Sequence, residues 1–594
     1  MWLIRNYYNF IQFIRKNVSN RQFLILSSIL VGLSAGIAAV LLKTFTHHIQ
    51  SILTHDFHFK YKDYFYLIFP AIGIVLTVTY IKLFLKGKFG RGASHILLYI
   101  SRKSSLMERV TMYSHIITSA LTIGFGGSAG LEAPIVVTGA AIGSNFGRIN
   151  MVSYKDRTLL LACGSAAGIA AVFNAPIAGV MFALEVLISE ATISAFIPLI
   201  IAAATGALCS RVILQEKILL FFSLRHPFNY LNVPYYIALG ILSGLVSLYY
   251  ARMYNKVENL FKPLEQRNYL KSITGGLILA ILVFIFPPLF GEGYESIKFL
   301  ANGKIDKLLE NSVFSQFSYN QNFIIAFTGA IALVKVIATS VTLGGGGNGG
   351  SFAPSLFVGA FLGYFFSSFL NSFDIITYLP QENFTLVGMA GILSGVMYAP
   401  LTGIFLIAEI TGGYELMIPL MIVSATSYII VKHFEPYSMD TKELAQKGYL
   451  LRGNRDKTIL TLLNVKEIIE KDFVCVQSDA TIMQLTEIIA HSKRNLFPVL
   501  DQNGSLLGII VLENIRELLF ELENYKDMPA IDLMNRPQAV IDLEEEMNIV
   551  MKKFDETGAW NLPVVKDNKY IGFVSKSSIF SKYRSQLLSS YSEE

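Results

Sequence analysis

The sequence predicts a polytopic α-helical membrane protein built from two related halves, followed by a smaller soluble α/β unit. Three observations lead to this prediction. The mean hydropathy is +0.49, with 53% hydrophobic and only 15% charged residues, far from the composition of soluble domains. Long runs contain no charged residue at all. Finally, both the apolar region and the tail after it contain internal repeats.

Uncharged runs mark the membrane helices. Residues 22–42, 191–210 and 272–291 contain no charged side chain, and each is long enough to cross a hydrocarbon core of about 30 Å as a helix. Similar stretches recur along the chain, so we predict a transmembrane region at 22–440. Residues 1–21 carry four cations and no small-residue cleavage site, which favours a cytoplasmic segment of a plasma (inner) membrane protein over a signal peptide.

The net charge of +6 indicates membrane topology, not nucleic-acid binding, because no block of Lys and Arg occurs. Cys163, Cys209 and Cys475 are isolated in the sequence. They therefore predict free thiols, and neither a disulfide framework nor a zinc site. No metal site is expected.

The apolar region contains an internal repeat made of three matched motifs. GLEAPIVVTGAAIG at 130–143 matches GSFAPSLFVGAFLG at 350–363, FNAPIAGVMFALE at 173–185 matches MYAPLTGIFLIAE at 397–409, and FGRGASHI at 89–96 matches FGEGYESI at 290–297. The same order in both copies indicates two related halves, at about 20–215 and 230–432. We expect them to be inverted, as is common where a substrate site lies between halves at the membrane midplane.

The glycine-rich loops predict broken helices. Each loop leads through Ala-Pro into a new apolar stretch, and Pro suits the first turn of a helix. A helix that begins inside the membrane directs free N–H groups and a positive dipole end toward one point, which suits an anion. Gly139 with Gly143, and Gly359 with Gly363, also fit close helix packing. Close packing does not explain the Gly-x-Glu-Ala-Pro loop.

Glu132 is the principal candidate for a functional residue, since an ionisable group inside the membrane is costly. At the mouth of a helix N-terminus, its carboxylate would compete with a permeating anion. Glu185, Glu409 and Lys335 are weaker candidates. The two glutamates, at matched repeat positions, can lie near cytoplasmic helix ends or hold interhelical hydrogen bonds, and Lys335 can snorkel or pair with one of them.

After a polar linker at 441–464, the tail alternates β-rich runs with amphipathic helices. Residues 495–515 match 561–580. This repeat resembles a tandem pair of CBS domains, at 465–521 and 528–586.

CBS pairs often bind adenosine nucleotides, and the resemblance implies where such a ligand would lie. A Ser or Thr and an Asp three residues later hold the ribose in binding members. Here these positions are Val511 and Asn514 in the first copy, and Ser575 and Ser578 in the second. Because both acids are missing, we expect a structural or dimerising role, with an adenine nucleotide as the alternative and no other cofactor.

The membrane motifs resemble those of the CLC family of chloride channels and chloride/proton exchangers. Residues 130–134 match the family's G-x-E-G-P with Ala for the second Gly, and 350–354 match G-x-F-x-P. The resemblance implies that Glu132 is the gating glutamate and that the backbone amides of Ser351 and Phe352 coordinate the anion. It also implies that Tyr437 contacts the central anion through its hydroxyl, although a tyrosine there is also typical of a membrane interface.

Two positions depart from the family pattern. In the loop Gly90-Arg91-Gly92, Arg91 stands where the family has an anion-binding serine. Its guanidinium can attract anions or turn away and leave only backbone amides, so selectivity stays open. Val186 stands where exchangers carry an inner, proton-relaying glutamate, which favours a passive channel over a chloride/proton antiporter.

The resemblance therefore implies a homodimeric transporter of chloride or similar small anions, in contact with membrane lipid and with no nucleic acid partner. The CBS tail is expected in the cytoplasm. An enzyme or nucleotide sensor is disfavoured because the CBS repeats fill nearly all of the tail. A CBS-regulated cation transporter would require acidic clusters, whereas the membrane glutamates are dispersed.

Overall fold

A computed structural model describes residues 19–55, 67–87, 89–188, 193–214, 227–309, 314–317, 320–373, 378–446, 463–520 and 525–591. Most of the predicted N-terminal segment 1–21 and of the linker 441–464 lies outside these residues. The chain forms two compact units that meet in sequence at Leu450 and Leu451. Each unit is described by itself.

Among the residues that the structure describes, the first half of the membrane unit contains eight helices. They are α1 (Asn20–His55), α2 (Phe69–Phe84), α3 (Gly92–Arg102), α4 (Thr111–Gly124), α5 (Glu132–Ile149), α6 (Tyr154–Phe173), α7 (Pro176–Phe182) and α8 (Ile193–Leu214). A π-helical turn, Ala183–Leu187, continues α7.

The second half repeats this order. Its helices are α9 (Val233–Phe261), α10 (Asn268–Ile285), α11 (Tyr294–Ala301), the short α12 (Asp306–Leu309), α13 (Gln321–Gly344), α14 (Phe352–Asn371), α15 (Gln381–Met397), α16 (Pro400–Ile410) and α17 (Met417–Phe434). A last short helix, α18 (Lys442–Gln446), follows. Within the described part of the chain, eight helices have the length and apolar composition needed to cross a membrane.

Equivalent residues of the two halves meet one another. The amide of Gly130 donates to the carbonyl of Gly350 at 2.9 Å, and the amide of Gly350 donates to Gly130 at 2.8 Å. The bridge is antiparallel, so the matched loops run in opposite directions where they touch, as an inverted repeat requires. Gly126 and Gly346, also matched, both have positive φ angles of 94° and 110°, which glycine adopts at little cost. The predicted two-fold repeat is confirmed.

The Gly-x-x-x-Gly patterns serve helix packing, as one of the two explanations predicted. A Cβ on Gly139 would lie 2.1 Å from the carbonyl oxygen of Gly164 in α6, and one on Gly359 would lie 2.3 Å from that of Gly388 in α15. The backbones of α5 and α6, and of α14 and α15, are therefore too close for any side chain at these positions. This packing holds the helix N-termini of the two glycine-rich loops in place.

The tail unit contains two copies of one small fold. Its strands are β1 (Val476–Gln477), β2 (Leu496–Leu500), β3 (Leu506–Val511), β4 (Ile541–Asp542), β5 (Asn561–Lys566) and β6 (Lys569–Ser575). They form two three-stranded sheets, ordered β1-β2-β3 and β4-β5-β6, each with one parallel and one antiparallel pair. The helices are α19 (Val465–Ile468), α20 (Ile482–His491), α21 (Leu512–Ile515), α22 (Ala530–Leu533), α23 (Met547–Thr557) and α24 (Lys576–Tyr591).

Candidate functional site

Glu132 is the first residue of α5 and is fully buried. One carboxylate oxygen accepts a hydrogen bond from the hydroxyl of Tyr294, at the start of α11. The other accepts the backbone N–H of Ala353 at 3.3 Å, in the first turn of α14. The side chain thus reaches from the helix of one half to the N-terminus of the matched helix in the other half.

The neighbouring amides of α14 are unoccupied. The structure shows no acceptor for the backbone N–H of Ser351 or Phe352 among the residues it describes. The first N–H groups of a helix have no partner within the helix, and together with the dipole they favour an anion. Phe352 is buried, and its ring packs against Phe173 and Phe182, with centroids 5.6 and 6.3 Å apart. The end of α14 therefore presents free amides within an apolar enclosure, beside the carboxylate of Glu132.

Sequence reasoning missed two residues of this site, Glu292 and Tyr294. Both lie in the FGEGYESI copy of the third repeat, and the match to FGRGASHI places Glu292 opposite Arg91. The Glu292 carboxylate accepts the amide of Leu131 at 3.3 Å, directly before Glu132. A signal was present in the quoted motif: an acid between two glycines, directly after the uncharged run 272–291.

Lys335 pairs with neither Glu185 nor Glu409, so that prediction was wrong. It is fully buried, and its ammonium donates to the carbonyls of Gly291 at 3.1 Å and Leu289 at 3.4 Å. It also lies 4.8 Å from the centroid of the Phe357 ring. Lys335 therefore holds the loop that carries Glu292 instead of snorkelling to an interface.

Arg91 has turned away from the open helix ends. Its guanidinium donates to the carbonyl oxygens of Leu343 at 2.8 Å and Gly346 at 3.0 Å. These carbonyls belong to the last turn of α13 and to the glycine-rich loop after it. A cation at this position also interacts favourably with the negative end of the helix dipole. Of the two alternatives for this side chain, the structure has the one in which the guanidinium is bound to backbone carbonyls.

Tyr437 makes no hydrogen bond to the groups around Glu132 among the residues that the structure describes. Its side chain is 45% exposed, unlike the buried groups around Glu132. The residue of this segment that approaches the start of α3 is Asp440: a Cβ on Gly92 would lie 3.8 Å from its Oδ1. The chain turns between the two residues, with the amide of Thr441 donating to the carbonyl of Ser438, and the contact of Tyr437 with an anion stays a prediction.

Glu185 and Glu409 hold interhelical hydrogen bonds, one of the two roles predicted for them. The Glu185 carboxylate accepts the amides of Leu401 and Thr402, both at 2.8 Å, at the start of α16. The Glu409 carboxylate accepts the amides of Ile177 and Ala178, at 3.0 and 2.9 Å, at the start of α7. Val186, next to Glu185, is buried and has no group that titrates.

In the tail, the two serines matched to the ribose-binding positions bind within the chain. The Ser575 hydroxyl donates to Glu470 at 2.6 Å and accepts the amide of Ser578 at 2.9 Å. Asn514 of the first copy is exposed. A cavity of about 320 Å³ in this unit is lined by other residues, among them Asp542 and Lys553.

No cluster of three or more His, Cys, Asp or Glu side chains suited to a metal occurs in the part of the chain that the structure describes. All three cysteines are free, with Cys163 and Cys209 buried and Cys475 exposed. The free thiols are as predicted.

Comparison with known proteins agrees with this architecture. Residues 73–432 match the family model for the voltage gated chloride channel, and residues 465–521 and 530–585 match that for the CBS domain. A chloride channel protein of Ralstonia nicotianae, described as ClcB-like, is 26% identical over 400 residues, covering 66% of this chain and 87% of that protein. An H⁺/Cl⁻ exchange transporter, ClcA of Vibrio vulnificus, is 30% identical over 318 residues, covering 52% of this chain and 63% of that protein.

The fold is shared with solved structures. The crystal structure of a slow cyanobacterial Cl⁻/H⁺ antiporter superposes with a TM-score of 0.62 at 21% identity, covering 72% of this chain and 98% of that one. The family match extends over more than half of the chain and contains both glycine-rich loops and Glu132. The protein is thus a multi-pass membrane protein that belongs to the voltage-gated chloride channel (CLC) family and carries a C-terminal pair of CBS domains.

Proposed function

We propose that the protein conducts chloride or a similar small anion across the membrane, along a pathway in each subunit that Glu132 gates. The observation that carries this proposal is the contact between Glu132 and the N-terminus of α14. The carboxylate accepts a hydrogen bond from the amide of Ala353, while the adjacent amides of Ser351 and Phe352 have no acceptor among the residues that the structure describes. Family membership and the names of the relatives support the anion as substrate.

The mechanism follows from competition for this helix end. An ionised Glu132 already supplies the negative charge that the helix N-terminus favours, so it opposes an entering anion. A protonated side chain loses that interaction and frees the position. The anion then exchanges its hydration shell for backbone amides, which are fixed in place and need no reorganisation. No covalent chemistry is involved, so we propose a transporter and not an enzyme.

The direct test of the gate is Glu132→Gln, which keeps the shape of the side chain and removes its charge. In liposomes loaded with chloride, we expect the chloride efflux of the wild type to rise as the pH falls. The efflux of the variant should be fast and should depend much less on pH. Glu415→Gln, an exposed acid in the loop after α16, serves as the control. Efflux from the Glu132 variant with the pH dependence of the wild type would contradict the assignment.

We favour passive conduction over coupled exchange. Val186 cannot carry a proton, and its neighbour Glu185 is already engaged by three donors at α16. A chloride/proton antiporter is the second candidate, favoured by Glu292, a second acid that binds the amide next to Glu132. Simultaneous recording of chloride and proton movement separates the two. Uphill proton movement driven by a chloride gradient would establish the antiporter.

For the rest of the molecule, we propose a homodimer in the plasma membrane with both termini in the cytoplasm. We propose a structural or dimerising role for the CBS pair, since the Ser575 hydroxyl is already bound to Glu470. Titration calorimetry of ATP and AMP into the full-length protein should then give no binding heat. A saturable heat that Ser575→Ala abolishes would instead establish a nucleotide site.

A further inference from the structure

We propose that Glu292 sets the pH at which the Glu132 gate opens, by placing a second negative charge beside it. The proposal rests on the gating proposed above and assigns a positioning role to another residue of the same site. Glu292 lies in residues 290–293, between α10 and α11, and takes in the second half the place that Arg91 has in the first.

The backbone around Glu292 is bound to both halves of the membrane unit. The amide of Gly291 donates to the carbonyl of Gly126 at 3.3 Å, in the glycine-rich loop before α5. The carbonyl of Gly291 accepts the ammonium of Lys335 at 3.1 Å, from α13 of the second half. Glu292 is therefore held at a fixed place between this loop and α13.

The side chain of Glu292 reaches the residue directly before the gate. Its carboxylate accepts the backbone N–H of Leu131 at 3.3 Å, and Leu131 is followed by Glu132, the first residue of α5. Two residues after Glu292, the hydroxyl of Tyr294 donates to the carboxylate of Glu132. One short stretch of chain thus contacts the gate twice, through the preceding amide and through the carboxylate itself.

Cations lie beside Glu292. The ammonium of Lys335 is 3.1 Å from the carbonyl oxygen of Gly291 and would be 3.6 Å from a Cβ on Gly293, the residues on either side of Glu292. Lys43 of α1 lines the same small cavity as Glu292, and the charges of both lysines act on the Glu292 carboxyl. A neighbouring opposite charge favours the ionised form of a carboxyl.

Glu132 has a different environment. Its carboxylate is held by the phenol of Tyr294 and the amide of Ala353, neither of which carries a charge. The two carboxyls act on one another, and like charges in a buried site oppose each other's ionisation. Because the lysines lie beside Glu292, we expect the negative charge of the pair to rest on Glu292 and an entering proton to bind Glu132.

The other titratable groups that face this pair, among the residues that the structure describes, come from three elements. They are Lys43 in α1, Lys335 in α13 and Tyr294 at the start of α11. Lys335 donates to two carbonyl oxygens and Tyr294 donates to Glu132, and these acceptors hold the protons of both groups. A proton that enters this set of side chains therefore binds a carboxyl.

The direction of the effect follows from the like charge. An ionised Glu292 makes the ionised form of Glu132 less stable, so the gate opens at a higher pH than it would alone. Glu292→Gln removes this charge and keeps a side-chain oxygen for the amide of Leu131. The pH of half-maximal chloride efflux should therefore fall by about one unit, a usual size for the effect of one neighbouring charge.

The experiment measures chloride efflux from liposomes that contain the full-length protein, over the pH range in which the wild type opens. Glu292→Asp, which keeps the charge, should retain most of the wild-type midpoint. Glu295→Gln removes an exposed acid three residues away and should leave the midpoint unchanged. In the Glu132→Gln background, where the gate no longer titrates, Glu292→Gln should have no effect on the pH profile.

A second measurement does not depend on transport. A protonated carboxyl has its own C=O stretching band in infrared spectra, and the band of Glu132 is identified by its absence from the Glu132→Gln protein. As the pH is lowered, this band should appear at a lower pH in Glu292→Gln than in the wild type.

An efflux midpoint or an infrared band that Glu292→Gln leaves unshifted would overturn the proposal. An effect of Glu292→Gln that persists in the Glu132→Gln background would overturn it as well, because the charge would then not act through the gate. Wild-type protein that conducts no chloride, or whose efflux does not depend on pH, would instead overturn the gating on which the proposal rests, before any Glu292 variant is compared.

Discussion

Gly130 lies directly against the carboxylate of Glu132, the proposed gate. A Cβ on Gly130 would lie 2.0 Å from a carboxylate oxygen of Glu132 and 2.9 Å from the Cβ of Ala353. Its amide and carbonyl also form the bridge to Gly350. A residue of any other type at this position must displace either the carboxylate or the start of α14.

We therefore expect Gly130→Ala to have an effect on chloride efflux similar to that of Glu132→Gln. With the carboxylate pushed from the amide of Ala353, chloride efflux should become faster at neutral pH and lose part of its pH dependence. The matched control is Gly413→Ala, where a Cβ meets no atom within 4 Å. Efflux from Gly130→Ala that matches the control would show that the carboxylate can hold its place without the glycine.

At the scale of helices, the two halves cap one another. Glu185 from the end of the α7 segment binds the first amides of α16, and Glu409 from α16 binds the first amides of α7. Both short helices begin with Pro after an Ala, so no Ser, Thr, Asp or Asn supplies the usual N-cap. A carboxylate from the other half takes this role, with the charge that the N-terminus favours.

Removal of either cap should destabilise the membrane unit. We expect Glu185→Ala to cost about 1–3 kcal/mol, the usual penalty for amides shielded from water that lose a charged acceptor, and Glu409→Ala a similar amount, with Glu185→Ala toward the low end because one of its amides is exposed. Thermal unfolding in detergent, followed by loss of the monodisperse gel-filtration peak, measures the difference. Glu415→Ala, exposed in the loop after α16, is the control, and equal stability of all three variants would mean that water replaces the caps.

At the scale of the whole molecule, the cysteines provide a test of topology. Cys163 and Cys209 are buried in the membrane unit, while Cys475 is exposed in the CBS unit. Only Cys475 is therefore open to a thiol reagent in the folded protein.

A membrane-impermeant maleimide should label the protein in inside-out vesicles and leave it unlabelled in intact cells. Cys475→Ser should abolish the labelling, because the remaining two thiols are buried. Labelling of intact cells through Cys475 would place the CBS pair outside the cytoplasm, contrary to the proposed orientation.

Sequence alone determined the membrane class and the two-fold repeat, and it singled out Glu132 as a candidate, because these depend on composition and on local patterns. An uncharged run long enough to span a bilayer can be recognised from the sequence, and so can a glycine-rich loop before Ala-Pro. The same holds for the CBS pair, whose alternation of strands and helices is local.

Tertiary structure decided which side chains share the site, since residues far apart in sequence meet only after the halves pack. Glu292 and Tyr294 join Glu132 from 160 and more residues away, and no spacing rule links them. Arg91 donates hydrogen bonds to one carbonyl of α13 and one of the loop after it, and Asp440 lies near the start of α3. A buried charge is held by whichever partners the packed fold offers, so its role is set by neighbours that sequence order does not specify.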